Sequence, residues 1–163
     1  MRHIKFPSIE QFRNVVKNVS HRASYVGMDD NGDAIFDRLA PKPTLKFEGT
    51  VKLHGSNAAY LESPSGEYWF QSRENIITPE KDNAGFAMFG CANLNILKQL
   101  CDKIKQDFKI PSATIAVFGE FVGIGIQKNV AISQIDKSFF VFAIKVVLDE
   151  DHSYFINLDR MVW

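Results

Sequence analysis

The pattern of hydrophobic and polar positions predicts a chain of mixed helices and strands. Near the N-terminus, SIEQFRNVVKNVSHR predicts an amphipathic helix, with Ser8 as the cap and Gln11 completing a capping box. Its apolar residues share one face: Ile9, Phe12, Val16 and Val19. The next stretch, YVGMDDNGDAIF, predicts two short strands joined by a tight turn. That turn lacks a glutamate at the twelfth position of a calcium loop, so we predict no metal-binding set of side chains.

Strand-like runs dominate the rest of the chain. PKPTLKFEGTVKL predicts a strand that follows two prolines, and AAYLESPSGEYWFQSR predicts a hairpin. Thr78 and Pro79 predict the start of a helical region, with threonine as the cap. Three further strands are predicted in ATIAVFGEFVGIGI, SFFVFAIKVVL and HSYFINL.

The strongest helical pattern is ANLNILKQLCDKIKQDF, with Pro111 just beyond its end. Its apolar residues form one stripe: Leu94, Leu97, Leu100, Cys101 and Ile104. The order of elements is helix, strands, helix, strands. This order predicts an α+β fold with mostly antiparallel sheets and flanking helices, in a single domain over residues 1–163.

Composition narrows the class of protein. The 163 residues are 45% hydrophobic and 23% charged, which is typical of a globular protein. Because 19 basic residues balance 19 acidic ones, any nucleic-acid contact must be local. Two cysteines without a metal-ligand spacing make a zinc site or disulfide framework an unsuitable interpretation. We therefore expect a reducing, cytoplasmic location, or the host cytoplasm for a viral protein.

The stretch KLHGSN combines a lysine with residues suited to phosphate chemistry. One interpretation of Lys52 is a solvent-exposed strand lysine that precedes a glycine turn. The other is a nucleophile, which must lose its proton before it attacks. Gly55 allows the backbone to approach a phosphate closely, and His54 and Asn57 add polar groups beside the lysine.

Further candidates follow downstream. Arg73, in QSRENI, is placed either to bind a phosphate with two hydrogen bonds or to form a salt bridge at the rim. Glu120 lies among apolar residues, where a carboxylate needs a partner, either in an ion pair or in a ligand. In SFFVFAIKV, alternation places Phe140 and Phe142 on one face and Phe139 on the other. Each of these rings either packs in the core or stacks on a purine.

Together these stretches resemble the ATP-dependent RNA ligases of the RNA-ligase-2 type, which include phage enzymes and kinetoplastid RNA-editing ligases. KLHGSN matches the KxHGxN nucleotidyl-lysine motif of that family. QSR, FGEFVG and FFVFAI resemble its next three motifs in the same order, over about residues 46–147. His54 favours this type over DNA ligases and capping enzymes, which carry KxDG. The resemblance implies a nucleotidyltransferase (ATP-grasp-like) adenylation domain.

The resemblance also implies roles for individual residues. Lys52 would attack the α-phosphate of ATP, release pyrophosphate and hold AMP as a phosphoramide. His54 and Asn57 would act catalytically beside it when AMP passes to an RNA 5′-phosphate and the strands are joined. The remaining positions would bind the nucleotide or substrate: Thr50 and Val51 at the adenine, Gly55 and Arg73 at phosphate, Glu120 at the ribose hydroxyls, and Phe142 stacked on adenine. Implied partners are ATP, Mg²⁺ and RNA ends or a nicked RNA duplex, with no membrane.

Two parts of the family pattern are different here. Phe142 is followed by Ala143, where the family has aspartate. The EGxVxK-like segment and the KxK pair, which follow the stacking motif in similar enzymes, are not found. We therefore expect this chain to hold the N-terminal part of the adenylation domain, with little activity by itself. The alternatives are a catalytically incomplete nucleotide- or RNA-binding protein and a DNA-ligase-like relative.

Overall fold

The computed structural model describes residues 1–47, 49 and 51–158. These residues form two compact units. The sheet unit contains Met1–Phe6 and the described residues from Lys52 onward. The N-terminal unit is Pro7–Val51, apart from positions 48 and 50. The sequence predicts one domain over residues 1–163, and this stays a prediction.

The N-terminal unit consists of one helix and one hairpin. Helix α1 (Phe12–Ser24) leads directly into β1 (Tyr25–Met28), which pairs antiparallel with β2 (Ala34–Phe36). Between the strands, one carboxylate oxygen of Asp29 accepts two backbone N–H groups of the turn, each at 2.9 Å. A short acidic side chain that satisfies the backbone locally favours a turn. The predicted hairpin is confirmed.

Helix α1 begins later than the sequence predicts. Gln11 is its N-terminal cap residue, and no side chain caps the helix. The predicted capping box centred on Ser8 is therefore wrong. A capping box forms only where the helix starts immediately after the capping residue. Here the first helical residue is Phe12, whose ring packs against Phe47 at 4.9 Å between ring centroids and anchors the first turn.

The sheet unit is built on six strands and two helices. The strands are β3 (Ser56–Glu62), β4 (Tyr68–Ser72), β5 (Ile76–Ile77), β6 (Thr114–Val122), β7 (Ser138–Val147) and β8 (Ser153–Phe155). They form one sheet in the order β5-β4-β3-β6-β7-β8, and every pair of neighbours is antiparallel. The helices are α2 (Phe86–Ala92) and α3 (Leu94–Asp107), and a 3₁₀ turn spans Ala131–Gln134. The predicted α+β class with a mostly antiparallel sheet is confirmed.

One face of the sheet packs against the helices. Alternate residues of the central strands, including Tyr60 of β3 and Val117 of β6, are fully buried there. From α3, Leu97, Cys101 and Ile104 are buried against this face, while Leu94 and Leu100 are partly buried beside it. The predicted apolar stripe of this helix is confirmed. Burial raises the pKa of the Cys101 thiol far above its usual value, so this cysteine behaves as an apolar core residue.

The opposite face is partly covered by the first six residues of the chain. Ile4 is buried on it, and both backbone groups of Ile4 bond to the Gln71 side chain: its N–H donates to Oε1 at 3.0 Å, and its C=O accepts from Nε2 at 2.7 Å. The Phe6 ring packs against Phe118 at 5.1 Å. This face is a second, smaller apolar cluster, which also contains Leu61 and Trp69.

The helical region predicted from Thr78 begins only at Phe86, and the predicted cap at Thr78 is wrong. Thr78 instead pairs with Lys81 in an isolated bridge that follows β5. Helix α2 starts at Phe86, after Gly85 in the left-handed region at φ +80°. The Asp82 carboxylate accepts the backbone N–H groups of Ala84 and Ala87 at 3.0 and 2.7 Å, and so satisfies donors at the start of the helix. The cap therefore comes from Asp82, which precedes the first helical residue, Phe86.

No helix in the described part of the chain is long and apolar enough to cross a membrane.

A buried ion pair joins helix α3 to strand β3. Lys105 Nζ lies 2.7 Å from Glu62 Oε1, and the two side chains are 13% and 4% exposed. The Tyr60 hydroxyl donates to the other Glu62 oxygen at 2.9 Å. Burial and this hydrogen bond to Glu62 raise the pKa of Tyr60 well above its usual value. Both carboxylate oxygens of Glu62 are therefore paired inside the protein.

Removing one partner of this pair should destabilise the fold. We expect Lys105→Met to lower the free energy of unfolding by ~3 kcal/mol, because it leaves the Glu62 carboxylate buried without its cation. Urea denaturation measures this. The matched control is Lys103→Met on the same helix, whose pair with Asp107 is 52% and 46% exposed. The control should lose less than ~1 kcal/mol. Equal losses in both variants would contradict a special role for the buried pair.

Candidate functional site

The lysine-bearing segment is not a strand. Between Pro41 and Gly55 the described residues form no regular element, and β3 begins only at Ser56. The strand predicted in PKPTLKFEGTVKL is therefore wrong. Prolines cannot donate to a strand ladder, and the last pair between β3 and β6 is Ser56 with Phe121. Lys52 consequently lies on irregular backbone, with an exposed side chain.

Gly55 connects this segment to the sheet. Its N–H donates to Glu120 Oε1 at 2.9 Å. Its C=O accepts a hydrogen bond from Gln127 Nε2 at 3.0 Å. A Cβ at this position would lie 2.2 Å from the Phe121 carbonyl oxygen. Only glycine fits here, and its backbone is held by Glu120 and Phe121 of β6 and by Gln127.

Asn57, Glu120 and Phe140 form one row across the sheet. Asn57 pairs with Glu120, and Glu120 pairs with Phe140. Side chains of directly opposed residues lie on the same face. Phe118, two residues before Glu120 on β6, belongs to the apolar cluster opposite the helices. The row therefore lies on the face away from the helices, and Phe140 is 45% exposed there.

A β-bulge separates Phe142 from the face of Ile144, so that Phe142 shares the face of Phe140. Ala143 pairs with Phe118 and Val141 with Gly119, so Phe142 has no cross-strand partner. Simple alternation would place Phe142 on the face of Ile144, but Ile144 is buried in the helix-side core. A bulge leaves one residue unpaired, disrupts the ladder locally and can re-aim a side chain. Phe142 instead remains 41% exposed on the other face.

The first six residues of the chain support Phe142 directly. The Phe6 ring contacts the Phe142 ring edge-on, with 5.3 Å between centroids and 80° between planes. Phe6 also contacts Phe155 at 5.5 Å. Phe139, by contrast, packs on the helix side against Phe86 at 4.7 Å. The predicted separation of Phe139 from Phe140 and Phe142 is confirmed, although the bulge was not foreseen.

Arg73 lies at the same end of the central strands as Asn57. It immediately follows β4, whose last residue, Ser72, pairs with Ala58. The end of β4 is therefore adjacent to the start of β3, next to Asn57. Arg73 is exposed, and its Nε lies 3.6 Å from Glu74 Oε1 in a surface ion pair. Such a pair is weak and leaves the guanidinium accessible.

The remaining predicted residues are exposed or are not described. His54 is exposed on the segment between Lys52 and Gly55. Val51 ends the N-terminal unit and is 87% exposed. Thr50 lies outside the described residues. The structure thus places the segment of Lys52 near one end of the inner strands. Asn57, Arg73, Glu120 and Phe142 lie on or next to those strands.

Sequence analysis missed two residues of this arrangement. Gln127 holds the Gly55 carbonyl, and Phe6 packs on Phe142. Each lies far in sequence from its partner. No local pattern in the sequence indicates either contact. Among the described residues no group of three or more His, Cys, Asp or Glu is arranged to hold a metal ion.

An α+β unit with a six-stranded antiparallel sheet, and an exposed lysine on a segment fastened to that sheet, is consistent with the nucleotidyltransferase-like domain of a ligase. The chain matches the family model of RNA ligases over residues 45–163, more than half of its length. It belongs to the RNA ligase family, and this membership supports ligase activity.

The close packing at Gly55 gives a direct test of the site geometry. We expect Gly55→Ala to lower the free energy of unfolding by ~2 kcal/mol, because the new methyl group overlaps the Phe121 carbonyl. The control is Gly49→Ala in the same segment, where a Cβ meets nothing within 4 Å. Thermal or urea denaturation of both variants measures the difference. A Gly55→Ala protein as stable as the control would contradict the observed packing.

Proposed function

We propose that this protein is an ATP-dependent RNA ligase of the RNA-ligase-2 type that works through a lysyl-AMP intermediate on Lys52. The observation that carries the proposal is the hydrogen bond from Gly55 N–H to Glu120. It joins the segment of the lysine to a carboxylate from β6, 65 residues away in sequence. A structural turn lysine does not need such an attachment, whereas a nucleophile must be held beside the group that binds its substrate.

The first step would be adenylation of the lysine. Neutral Lys52 Nζ attacks the α-phosphorus of ATP, so that a nitrogen–phosphorus bond forms. The bond from the α-phosphorus to the bridging oxygen of the β-phosphate breaks, and pyrophosphate leaves with that electron pair. The proton lost from the amine passes to solvent. AMP then remains on the enzyme as a phosphoramide.

Adenosine would lie on the sheet face opposite the helices. One oxygen of Glu120 accepts the Gly55 N–H, and within the described residues the other makes no hydrogen bond, which leaves it for the ribose hydroxyls. Phe142 is half-exposed on the same face and supported edge-on by Phe6, so it is suited to stack on adenine. Phe140 is the alternative stacking residue because it lies directly opposite Glu120. Thr50 and Val51 would border the adenine.

Later steps would use the polar residues next to the lysine. A 5′-phosphate oxygen of the RNA attacks the phosphorus of lysyl-AMP. The nitrogen–phosphorus bond breaks, Lys52 leaves with that electron pair and takes up a proton, and AMP remains on the RNA end. A 3′-hydroxyl then attacks the 5′-phosphorus and loses its proton to solvent, while the bond from that phosphorus to AMP breaks and AMP leaves with the electron pair. We assign His54 and Asn57 to these steps, and Arg73 to contact with phosphate.

Magnesium fits this chemistry through the substrate rather than through a protein cluster. Mg²⁺ is commonly bound by one or two carboxylates together with substrate phosphates. When bound, it would neutralise charge on the phosphate oxygens. Among the described residues no group of three His, Cys, Asp or Glu is placed to hold the ion, so the substrate phosphates would be its main ligands.

The central prediction is the site of covalent labelling. With α-labelled ATP and Mg²⁺ we expect a protein–AMP adduct that Lys52→Ala reduces at least ~100-fold, because no other group replaces the nucleophile. Gel autoradiography and peptide mass spectrometry measure the adduct and locate it. The matched control, Lys103→Ala, removes an exposed lysine from α3 and should label normally. An undiminished adduct in Lys52→Ala would remove the proposal.

A second prediction separates adenylation from joining. We expect His54→Ala and Asn57→Ala to retain lysyl-AMP formation and to lose strand joining by ~100-fold, the effect of removing one positioned catalytic group. Single-turnover sealing of a nicked duplex with an RNA or a DNA acceptor strand provides the measurement. Sealing that survives in both variants would make the loop a structural turn. Preference for a DNA acceptor would instead support the DNA-ligase-like alternative.

A further inference from the structure

The N-terminal unit contains a helix with an unusual charge distribution. Helix α1 carries Arg13, Lys17 and Arg22 and no acidic residue. Arg13, Lys17 and His21 are spaced by four, so they form one exposed row along the helix. Within the described residues, neither Arg13 nor Lys17 has an ion-pair partner. Most of this unit precedes residue 45, where the match to the RNA ligase family begins.

Lys42 adds a further cation at the C-terminal end of α1. Lys42 Nζ donates to the Ser20 carbonyl at 3.4 Å and to the Ser24 hydroxyl. The C-terminal end of a helix is favourable for a cation. The loop that follows the hairpin therefore adds its charge to the helix, although the chain as a whole has no net charge.

Exposed aromatic rings lie next to this row. His21 stacks on Phe36 with 4.4 Å between ring centroids and 26° between planes. Tyr25 contacts Phe36 edge-on at 5.9 Å. Tyr25 and Phe36 are 47% and 41% exposed. These rings are not core residues, because Ser24 is the only buried residue among the described positions of this unit.

The acidic residues of the hairpin are separated from the rings. Tyr25 pairs with Phe36 at the open end, while Asp29, Asp30 and Asp33 lie at the turn. Asp29 is four residues from Tyr25, about 13 Å along the strand. Asp37 is nearer, but one of its carboxylate oxygens accepts the backbone N–H of Leu39 at 2.7 Å. Asp29, Asp30 and Asp33 are therefore separated from the rings, and Asp37 is the nearby carboxylate, bound to the backbone.

We propose that α1 and the open end of the β1–β2 hairpin bind single-stranded RNA. Arg13 and Lys17 would contact successive phosphates, and an unpaired base would stack on the exposed surface of Phe36 or Tyr25. Proteins bind single strands by combining cations that follow the backbone with aromatic rings that stack on bases. An acidic or purely apolar protein partner would not use both features. This inference rests on the proposed function, to which it adds a contact with the RNA strand outside the adenylation site.

Direct binding measurements test the phosphate contacts. We expect the full chain to bind a fluorescein-labelled oligouridine strand, measured by anisotropy over a range of salt concentrations. Arg13→Glu/Lys17→Glu should weaken binding at least ~10-fold and lower the salt slope by ~1.4, the value for two phosphate contacts to a single strand. The neutral variant Arg13→Gln/Lys17→Gln should show the same loss of slope, and circular dichroism checks that both remain folded.

The matched control changes the net charge equally in the sheet unit. Lys103 and Lys109 are exposed there, and Lys103→Glu/Lys109→Glu should bind the RNA like the parent protein. Equal weakening by this control would overturn the proposal, because it would show a general effect of charge. Absence of RNA binding by the parent protein would overturn it too. So would full RNA binding by the α1 variants, including the case in which those variants change self-association instead.

The aromatic part has its own test. Phe36→Leu keeps an apolar residue in the hairpin but removes the stacking surface, and it should weaken oligouridine binding by ~10-fold. Its salt slope should match the parent protein, since no cation is lost. If Phe36→Leu binds the single strand normally, or if duplex RNA binds as tightly as the single strand, base stacking on this surface is overturned.

The two proposals fail separately. Lys52→Ala, which should lose the AMP adduct, should bind oligouridine like the parent protein. Arg13→Glu/Lys17→Glu should weaken RNA binding while its yield of AMP adduct stays unchanged. Loss of adduct formation in all proteins with RNA binding intact would contradict the ligase mechanism alone. Loss of RNA binding in Lys52→Ala would contradict the assignment of the binding surface to the N-terminal unit.

Discussion

The hydrogen bond between Gly55 N–H and the Glu120 carboxylate is the contact on which the candidate site depends. The segment that carries Lys52 belongs to no strand, so the sheet ladder does not position it. Next to the last pair of β3 and β6, the Glu120 carboxylate accepts a hydrogen bond from the Gly55 N–H. The Gln127 side chain donates a hydrogen bond to the Gly55 C=O. The absence of a side chain allows the backbone to lie against the Phe121 carbonyl. These constraints together hold an irregular segment at a defined place beside the sheet.

The two faces of the sheet differ in how far they are covered. The helix-side face is a closed core, fastened to α3 by the buried pair of Glu62 and Lys105. The opposite face is only partly covered, by the first six residues of the chain, and leaves Phe140 and Phe142 accessible. A stable sheet with one covered face can carry exposed aromatic and polar residues on the other without losing its core. The candidate site lies on that open face, at the end of β3 and β6 to which the lysine segment is bound.

The N-terminal unit presents its apolar and charged residues in another way. Its described residues bury little, and its rings and cations are accessible. The sheet unit has a core of its own, whereas the N-terminal unit has an exposed surface that requires an explanation. An RNA strand would use both kinds of side chain at once, since its phosphates attract cations and its bases stack on rings. The charge balance of the whole chain conceals this local separation of charge.

The sequence by itself determined the fold class, most of the strands, helix α3 and the family, because these follow from local periodicity and from contiguous motifs. KLHGSN, QSR, FGEFVG and FFVFAI could be aligned with family motifs without any structure. Local patterns failed where long-range partners decide the outcome. The prolines and the end of the β6 ladder kept the lysine segment out of a strand, and Asp82 rather than Thr78 satisfied the start of α2.

Only the tertiary structure decided how the site residues are brought together. Alternation along β7 cannot show that a bulge frees Phe142 from the face of Ile144, because a bulge is a property of two paired strands. Spacing likewise cannot show that Gln127 reaches Gly55, or that Phe6 supports Phe142, since both contacts join distant parts of the chain. A one-dimensional pattern records which face each residue prefers. The register between strands determines which residues meet.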